Sequence, residues 1–263
     1  MDITLVPGGN PGPYTGAGNN TYLISGKIPT LLDAATGESS HLAALAEALA
    51  GEPLGQVLVT HAHQDHVDGC DPIAVRWPDT RFGKMPWPGR DCLQSVDFFS
   101  ISDGDLIPAG DGMLRVVHTP GHAPDHVCFL AEATGTLFSA DLVVQGSSVV
   151  IPNSHGGNLT QYLASLRRVL DIAPDRMLPA HGQVIDSPSE VLSTYLEHRL
   201  QREAQIIDMV RVGVGQPDAL VQRLYPGIRT DLKPMARESV LAHLVKLQEE
   251  GRARDDGECW VLT

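Results

Sequence analysis

Histidine and aspartate residues are concentrated in one short segment, residues 60–69, which reads Thr-His-Ala-His-Gln-Asp-His-Val-Asp-Gly. Three imidazoles and one carboxylate fall within six positions of it, at His61, His63, Asp65 and His66. Such a cluster is poorly suited to an apolar core. Imidazole nitrogen and carboxylate oxygen are, however, ligands that Zn²⁺ and similar divalent ions prefer. The segment therefore predicts a metal site.

Three further candidate ligands occur singly, each after an apolar stretch of the chain. His122 stands in Thr-Pro-Gly-His, Asp141 follows the predicted strand 136–140, and His181 stands in Pro-Ala-His-Gly. Strand ends can deliver such side chains to one rim of a sheet. The seven residues are enough for two metal ions that share one carboxylate and a solvent hydroxide; they are His61, His63, Asp65, His66, His122, Asp141 and His181.

The elements that must position these residues follow from hydrophobic periodicity and from Gly and Pro punctuation. We predict strands at residues 2–6, 20–25, 30–33, 57–59, 113–118, 127–131, 136–140 and near 147–151. Helices are predicted at residues 38–50, 159–171, 188–212, 216–225 and 235–250. The strand, helix, strand progression of the first part is repeated in kind by the second, and an apolar hairpin-like segment ends the chain.

Length and charge limit the classes of function. The 263 residues allow one large domain with a smaller addition, and the formal net charge is −13. Residues 1–195 carry 9 Lys and Arg against 21 Asp and Glu, a net −12, whereas residues 196–263 are at −1. This charge disfavours polyanionic partners such as RNA.

Targeting and redox features are few. No apolar stretch of about eighteen residues is present, so the sequence predicts no transmembrane helix and no membrane partner. The residues after Met1 lack the pattern of a secretory signal, which favours a soluble protein in the cytoplasm. The four cysteines are scattered and are expected to be reduced thiols.

The order His-x-His-x-Asp-His, Thr-Pro-Gly-His, Ser-Ala-Asp and Pro-Ala-His-Gly resembles the metallo-β-lactamase superfamily of binuclear metallohydrolases over roughly residues 1–195. Further segments resemble, more narrowly, the β-lactamase-like protein 2 group, which includes a single-strand endoribonuclease and polyketide thioesterases. These segments are residues 10–13, 18–23, 197–203 and 235–236. The family's usual Asp-x-Gly after the third strand is replaced here by Asp33-Ala34-Ala35.

The resemblance implies an α+β fold, a four-layer αββα sandwich of residues 1–195 followed by a winged-helix-like domain of residues 196–263. It also implies a division of the ligands between the two ions. His61, His63 and His122 would hold the first ion, and Asp141 would bridge it to the second. The remaining ligands, Asp65, His66 and His181, would hold the second ion. Zinc is the expected metal, with manganese or iron as alternatives.

Other polar residues near these motifs are given supporting roles. His118 and His126 are expected to make hydrogen bonds rather than bind metal, because metal ligands need oriented neighbours. Asp68 is expected to accept a hydrogen bond from His61 or His63. His155 is expected to lie at the solvent-exposed tip of a glycine-rich loop.

The sequence thus predicts a binuclear hydrolase that cleaves a small ester or thioester by means of a metal-bridging hydroxide. Asp65 is the predicted catalytic residue, because a terminal carboxylate beside that solvent could accept or relay its proton. Two alternatives stay open: a single-strand endoribonuclease that uses basic residues of the C-terminal part, and a binding protein with structural metals. The basic residues include Arg199, Arg202, Arg211, Arg223 and Arg229.

Overall fold

The structure is a computed structural model that describes residues 1–146 and 148–263. In these ranges the strands are β1 (Asp2–Pro7), β2 (Asn20–Ser25), β3 (Thr30–Leu32), β4 (Gln56–Val59), β5 (Arg81–Lys84), β6 (Phe98–Ser100), β7 (Leu106–Ala109), β8 (Gly112–His118), β9 (Val127–Ala131), β10 (Thr136–Ala140), β11 (Arg176–Pro179), β12 (Ala253–Asp255) and β13 (Trp260–Leu262). The α-helices are α1 (Ser39–Leu49), α2 (Gln64–Val67), α3 (Cys70–Arg76), α4 (Pro88–Asp91), α5 (Leu159–Ile172), α6 (Pro188–Arg211), α7 (Pro217–Leu224) and α8 (Lys233–Glu249).

The first sheet has the strand order β1-β2-β3-β4-β5-β6 and is parallel from β3 onward. Its central strands are buried on both faces, so they read as apolar runs in the sequence. In β4, Leu58 faces the second sheet, while Val57 and Val59 pack towards α1 and α3. This alternation follows from the two-residue period of a strand.

The second sheet has the order β11-β10-β9-β8-β7, with only the β10–β11 pair parallel. In β9, Phe129 packs between the two sheets, while Cys128 and Leu130 face α5 and α6. Helix α5 begins where the Asn158 side chain accepts a hydrogen bond from the backbone N–H of Gln161. The layers are therefore helix, sheet, sheet, helix, and the predicted α+β sandwich is confirmed.

The C-terminal part has a core of its own. The end of α6, α7, α8 and the β12–β13 hairpin bury a cluster that includes Ile206, Leu220, Leu244 and Trp260. Helix α6 is continuous from Pro188 to Arg211, so the boundary predicted between residues 195 and 196 falls inside it. The exact domain division stays a prediction.

Several elements differ from the sequence-based expectation. The strand predicted near 147–151 is wrong for residues 148–151, which form a loop, and Ser147 lies outside the described residues. This segment is apolar because Val149 and Ile151 pack into the core beneath α5. Strands β5, β6, β7 and β11 and helices α2, α3 and α4 were not predicted, since each has only three to seven residues.

Among the described residues, no helix is both long enough and apolar enough to cross a membrane. The cytoplasmic location expected from the sequence stays a prediction.

Gly69, between α2 and α3, generates a prediction about stability. A Cβ at Gly69 would lie 1.9 Å from the carbonyl oxygen of Ala34, in the loop that follows β3. Gly69→Ala must displace this loop, so we expect it to lower the free energy of unfolding by about 1–3 kcal/mol. Urea denaturation followed by circular dichroism measures the change.

Gly89→Ala is the matched control, because a Cβ at Gly89 meets no described atom within 4 Å. This variant should be as stable as the unmodified protein within about 0.5 kcal/mol. Equal denaturation midpoints for the two variants would contradict the packing described for Gly69.

Candidate metal centre

All seven predicted ligands meet at one edge of the sandwich, where strands of both sheets end. The segment with four of them follows β4 and forms α2, while the other three follow β8, β10 and β11. The two sheets are tied together at this edge. The backbone N–H of Val127 donates to the carbonyl of Thr60 at 2.9 Å, and that of Asn20 donates to Ala180 at 2.7 Å.

The first group of candidate ligands consists of three imidazoles. Nδ1 of His63 lies 2.9 Å from Nε2 of His61 and 2.8 Å from Nε2 of His122. His61 is fully buried, and His122 is nearly so. Three ring nitrogens therefore point at one another, as the three ligands of one ion would.

The second group joins a carboxylate to two imidazoles. Oδ2 of Asp65 lies 3.5 Å from Nε2 of His66 and 3.4 Å from Nε2 of His181. One ligand atom from each residue of this group lies within 4.8 Å of the others, and the same holds for the three histidines of the first group.

Asp141 lies between the two groups. Its Oδ2 is 3.4 Å from Nε2 of His122 and 3.6 Å from Nε2 of His66, while its Oδ1 is 3.3 Å from Nε2 of His181. One carboxylate therefore reaches residues of both groups. This is the arrangement that a shared bridging ligand requires.

Hydrogen bonds to the ring nitrogens that point away from the cluster fix the orientation of three histidine rings. Nδ1 of His61 is 3.1 Å from Oγ1 of Thr60, Nδ1 of His66 is 2.8 Å from Oδ2 of Asp33, and Nδ1 of His122 is 2.8 Å from the carbonyl of Val150. Each contact leaves Nε2 directed at the cluster. Outer partners of this kind set the tautomer and orientation of metal ligands.

Asp33 is a functional residue that the sequence-based reasoning missed. Its carboxylate accepts hydrogen bonds from the backbone N–H and the hydroxyl of Thr60 and contacts His66, so it supports two adjacent parts of the site. The signal was present, because Asp33 follows an apolar strand, as several of the candidate ligands do. Position 35 is Ala in this chain, where the Asp-x-Gly pattern has Gly. Ala35 adopts a φ of 51°, in the left-handed region.

The expectation for Asp68 is wrong. Its carboxylate accepts a hydrogen bond from Nε2 of Gln94 at 3.2 Å, and no hydrogen bond joins it to His61 or His63 among the described residues. Asp68 follows the last residue of α2, and its carboxylate is held by Gln94 instead of by the rings of His61 and His63. The orienting carboxylate comes instead from Asp33, which is distant in sequence.

The neighbouring histidines have the supporting contacts that were expected. Nε2 of His126 accepts a hydrogen bond from the backbone N–H of Asp141 at 3.2 Å, and its Nδ1 lies 2.8 Å from Oγ1 of Thr119. Nε2 of His118 is 2.9 Å from the carbonyl of Pro124. His155 is exposed and contacts the hydroxyl of Ser154.

The donor set fits divalent metal ions. Nε2 of His66 is buried and has carboxylate oxygens at 3.5 and 3.6 Å, yet it forms no hydrogen bond within the described part of the chain. A buried polar atom left in this way is costly. Ions held by five imidazoles and two carboxylates would satisfy it, and such a nitrogen and oxygen set suits zinc, manganese or iron.

The charges of the two groups differ in the metal-free protein. Burial and the neighbouring imidazoles lower the pKa of His63 to about 3. Burial opposes protonation of His181 as well, but the carboxylate of Asp141 outweighs it and raises the pKa of His181 to about 10. The pKa of Asp141 is held well below its usual range, because His181 and His66 outweigh the effect of burial. At neutral pH the second group therefore contains a protonated histidine, His181, whereas His63 in the first group is neutral.

Comparison with known proteins adds two family matches. The family model of the metallo-beta-lactamase superfamily matches residues 14–181, and that of the beta-lactamase associated winged helix domain matches residues 217–260. The first range contains the whole candidate metal centre, and the second contains α7, α8 and most of the β12–β13 hairpin.

Individual relatives extend over most of the chain. A beta-lactamase-like protein 2 homolog of Drosophila melanogaster is 34% identical, covering 96% of this chain and 89% of the relative. An atrochrysone carboxyl ACP thioesterase of Aspergillus chevalieri is 31% identical, covering 80% of this chain and 71% of the relative. A crystal structure of a metallo-beta-lactamase family protein from Thermus thermophilus has the same fold, with a TM-score of 0.83 at 21% identity over 99% and 98% of the two chains.

Asp33→Asn tests the support of His66. An amide keeps the size of the side chain but removes the charge that holds Nδ1 of His66, so we expect zinc affinity to fall about 10- to 100-fold. Competition with a fluorescent chelator measures the affinity. Asp68→Asn is the control and should leave the affinity within about twofold; equal losses in the two variants would contradict the assignment.

The raised pKa of His181 gives a prediction about pH. With a pKa of about 10, His181 is an imidazolium at neutral pH in the metal-free protein, whereas a ligand must be neutral. Metal binding should therefore release protons, and affinity should rise from pH 6 to pH 9. Calorimetric titration in buffers of different ionisation enthalpy counts the protons, and a heat that is independent of the buffer would contradict this protonation state.

Proposed function

The chain belongs to the metallo-beta-lactamase superfamily, and on this premise we propose that it is a binuclear metal-dependent hydrolase of a small ester or thioester. The observation that carries the proposal is the position of Asp141 between two complete ligand groups. The thioesterase among its relatives supports the choice of an acyl substrate.

In this proposal His61, His63 and His122 would hold the first ion, and Asp65, His66 and His181 would hold the second. Asp141 would serve both ions. When bound, a pair of divalent ions supplies an activated water nucleophile and polarises the carbonyl that is attacked. Zinc is the metal we propose, and manganese and iron suit the same donor set.

Asp65 is the proposed catalytic residue of the chain. Its side chain is 26% exposed, against 12% for Asp141, so it is the more accessible of the two carboxylates. The side-chain amide of Asn19 donates to Oδ2 of Asp65 at 3.1 Å and fixes its orientation. Burial favours the neutral acid, but His66 and His181 keep the pKa of Asp65 below its usual range. An ionised Oδ2 can accept and relay a proton from the attacking water.

Charge supports an uncharged acyl substrate over RNA. Two divalent ions would leave residues 1–195 at −8, which still repels a polyanion at long range. A small ester or thioester is not subject to this repulsion.

Four of the five arginines on which the endoribonuclease alternative depends have local contacts, whereas Arg223 is exposed. Arg199 is buried, and the guanidinium of Arg202 lies 4.3 Å from the ring of Tyr225. Arg211 and Arg229 form ion pairs with Asp208 and Asp231. These contacts reduce the positive charge that RNA would meet, so they favour the acyl substrate.

The third alternative is a binding protein with structural metals. The exposure of the site supports a hydrolase over this alternative. A structural metal site is closed by protein ligands. Here the side chain of Asp65, a member of the second ligand group, is 26% exposed, which supports access of a substrate to the site.

Metal content distinguishes the bridge from a terminal ligand. We expect two ions per chain in the unmodified protein. Asp141→Ala should weaken both ions because it removes a charge shared by both groups, whereas His181→Ala should chiefly empty the second position. Elemental analysis after zinc saturation and desalting measures the stoichiometry. Two retained ions with normal turnover in Asp141→Ala would exclude the bridge.

A side-by-side assay tests the substrate. The zinc- or manganese-loaded protein is given a panel of acyl thioesters and esters and a single-stranded RNA, and kcat/KM is compared with that of metal alone. We expect hydrolysis of at least one acyl substrate, a loss of about 10²-fold or more in Asp65→Asn, and a change below about threefold in the nearby control Asp68→Asn.

The opposite result identifies the alternatives. Acyl hydrolysis at the background rate together with Asp65-dependent cleavage of RNA would establish the endoribonuclease. Binding of two ions without turnover of either class would favour the binding protein.

A further inference from the structure

The loop that follows β10 connects two parts of the candidate metal centre. Its described residues are 141–146 and 148–152, and a single 3₁₀ turn at Asn153–His155 follows them. The carbonyl of Val150, within this loop, accepts the hydrogen bond from Nδ1 of His122 at 2.8 Å. The direction in which Nε2 of His122 points therefore depends on where this loop lies.

One face of α6 holds the loop. Tyr195 and Arg199 are four residues apart, so they lie on the same side of the helix. The hydroxyl of Tyr195 donates to the carbonyl of Val144 at 2.8 Å and accepts from its N–H at 2.9 Å. One turn later, Arg199 reaches the far end of the loop.

Arg199 donates from Nη2 to the carbonyl of Val149, and it also reaches Oγ of Ser148 at 3.3 Å. Its guanidinium lies 5.4 Å from the centre of the Tyr162 ring. The residue is 2% exposed, and no carboxylate pairs with it among the described residues. A buried cation without a counter-ion is costly, so its contacts with the loop and the ring must offset this cost.

We propose that Arg199 is a positioning residue for His122. It fixes the carbonyl of Val149, and the next carbonyl along the chain, that of Val150, holds Nδ1 of His122. Nε2 of His122 is thereby kept in the first ligand group, 2.8 Å from Nδ1 of His63. The inference rests on the proposed metal site but not on the proposed substrate.

The C-terminal part holds the continuation of the same loop. The carboxylate of Glu238 on α8 accepts hydrogen bonds from the N–H and hydroxyl of Ser154, at 2.9 and 2.8 Å. The carboxylate of Glu249 accepts from Asn158 and Thr160. These contacts anchor the loop beyond residue 151, whereas Arg199 acts at the peptide next to the one that binds His122.

The test uses the full chain with Arg199→Met and Arg199→Lys. Methionine keeps much of the apolar stem but donates no hydrogen bond, and lysine keeps the charge but not the planar fork of donors. Arg202→Met is the matched control, since Arg202 is on the same helix and donates to the carbonyl of Leu224, away from the loop.

Two readouts separate positioning from a general structural role. In the metal-free protein labelled with ¹⁵N-histidine, the ring signals of His122 should move towards those of a tautomer mixture in Arg199→Met, while those of His181 should not. Zinc binding to the first group should weaken about 10- to 100-fold. Arg199→Lys should show a smaller loss in the same direction, and Arg202→Met should stay within about twofold.

Unchanged His122 signals and unchanged zinc affinity in folded Arg199→Met would overturn the proposal, as would equal movement of the His122 and His181 signals. If Arg199→Met does not fold, the decision rests on Arg199→Lys. If Arg199→Lys leaves the His122 signals unchanged and keeps zinc affinity within about twofold of the unmodified protein, the proposal is also overturned. Absence of zinc binding in the unmodified protein would contradict the metal site itself, while the His122 signals would still report the contact with the loop.

Discussion

The close approach of five imidazoles and two carboxylates, all buried or half-buried at one edge of the sandwich, is the constraint on which the surrounding structure depends. Nδ1 of His63 lies within 2.9 Å of ring nitrogens of His61 and His122, and carboxylates approach the other two rings. Without ions, such a cluster is stabilised only by unequal protonation, with His63 neutral and His181 charged. Divalent ions match this donor set better than protons do, because each ion can be shared by several ligands at once.

The orientation of the cluster is set by residues that would not themselves bind metal. Asp33 holds His66 from the end of β3, Thr60 holds His61 from the end of β4, and the loop after β10 holds His122. Helix α6 holds that loop in turn, and α8 holds its continuation, so the C-terminal part is connected to the site. Because these partners come from different strands, loops and helices, the geometry of the site depends on the packing of the whole chain.

The sequence by itself determined the types and order of the candidate ligands, and its resemblance to a known family predicted the sandwich. The dense segment at residues 60–69 and the single candidate ligands at His122, Asp141 and His181 could be recognised because each follows an apolar stretch of the sequence. Local pattern also predicted the long helices, since α5, α6 and α8 show apolar residues at helical spacing. The short strands β5, β6 and β7 have too few residues for such a period to be read.

Only the tertiary structure decided which side chains support the ligands. Asp68 is close to the histidines in sequence, yet it bonds to Gln94, while Asp33 reaches His66 because β3 and β4 are neighbours in the sheet. The segment near 147–151 has the composition of a strand, but its carbonyls bind side chains of the site and of α6 instead of another strand. Hydrogen-bond partners of this kind depend on distances between elements far apart in the chain, which no local pattern encodes.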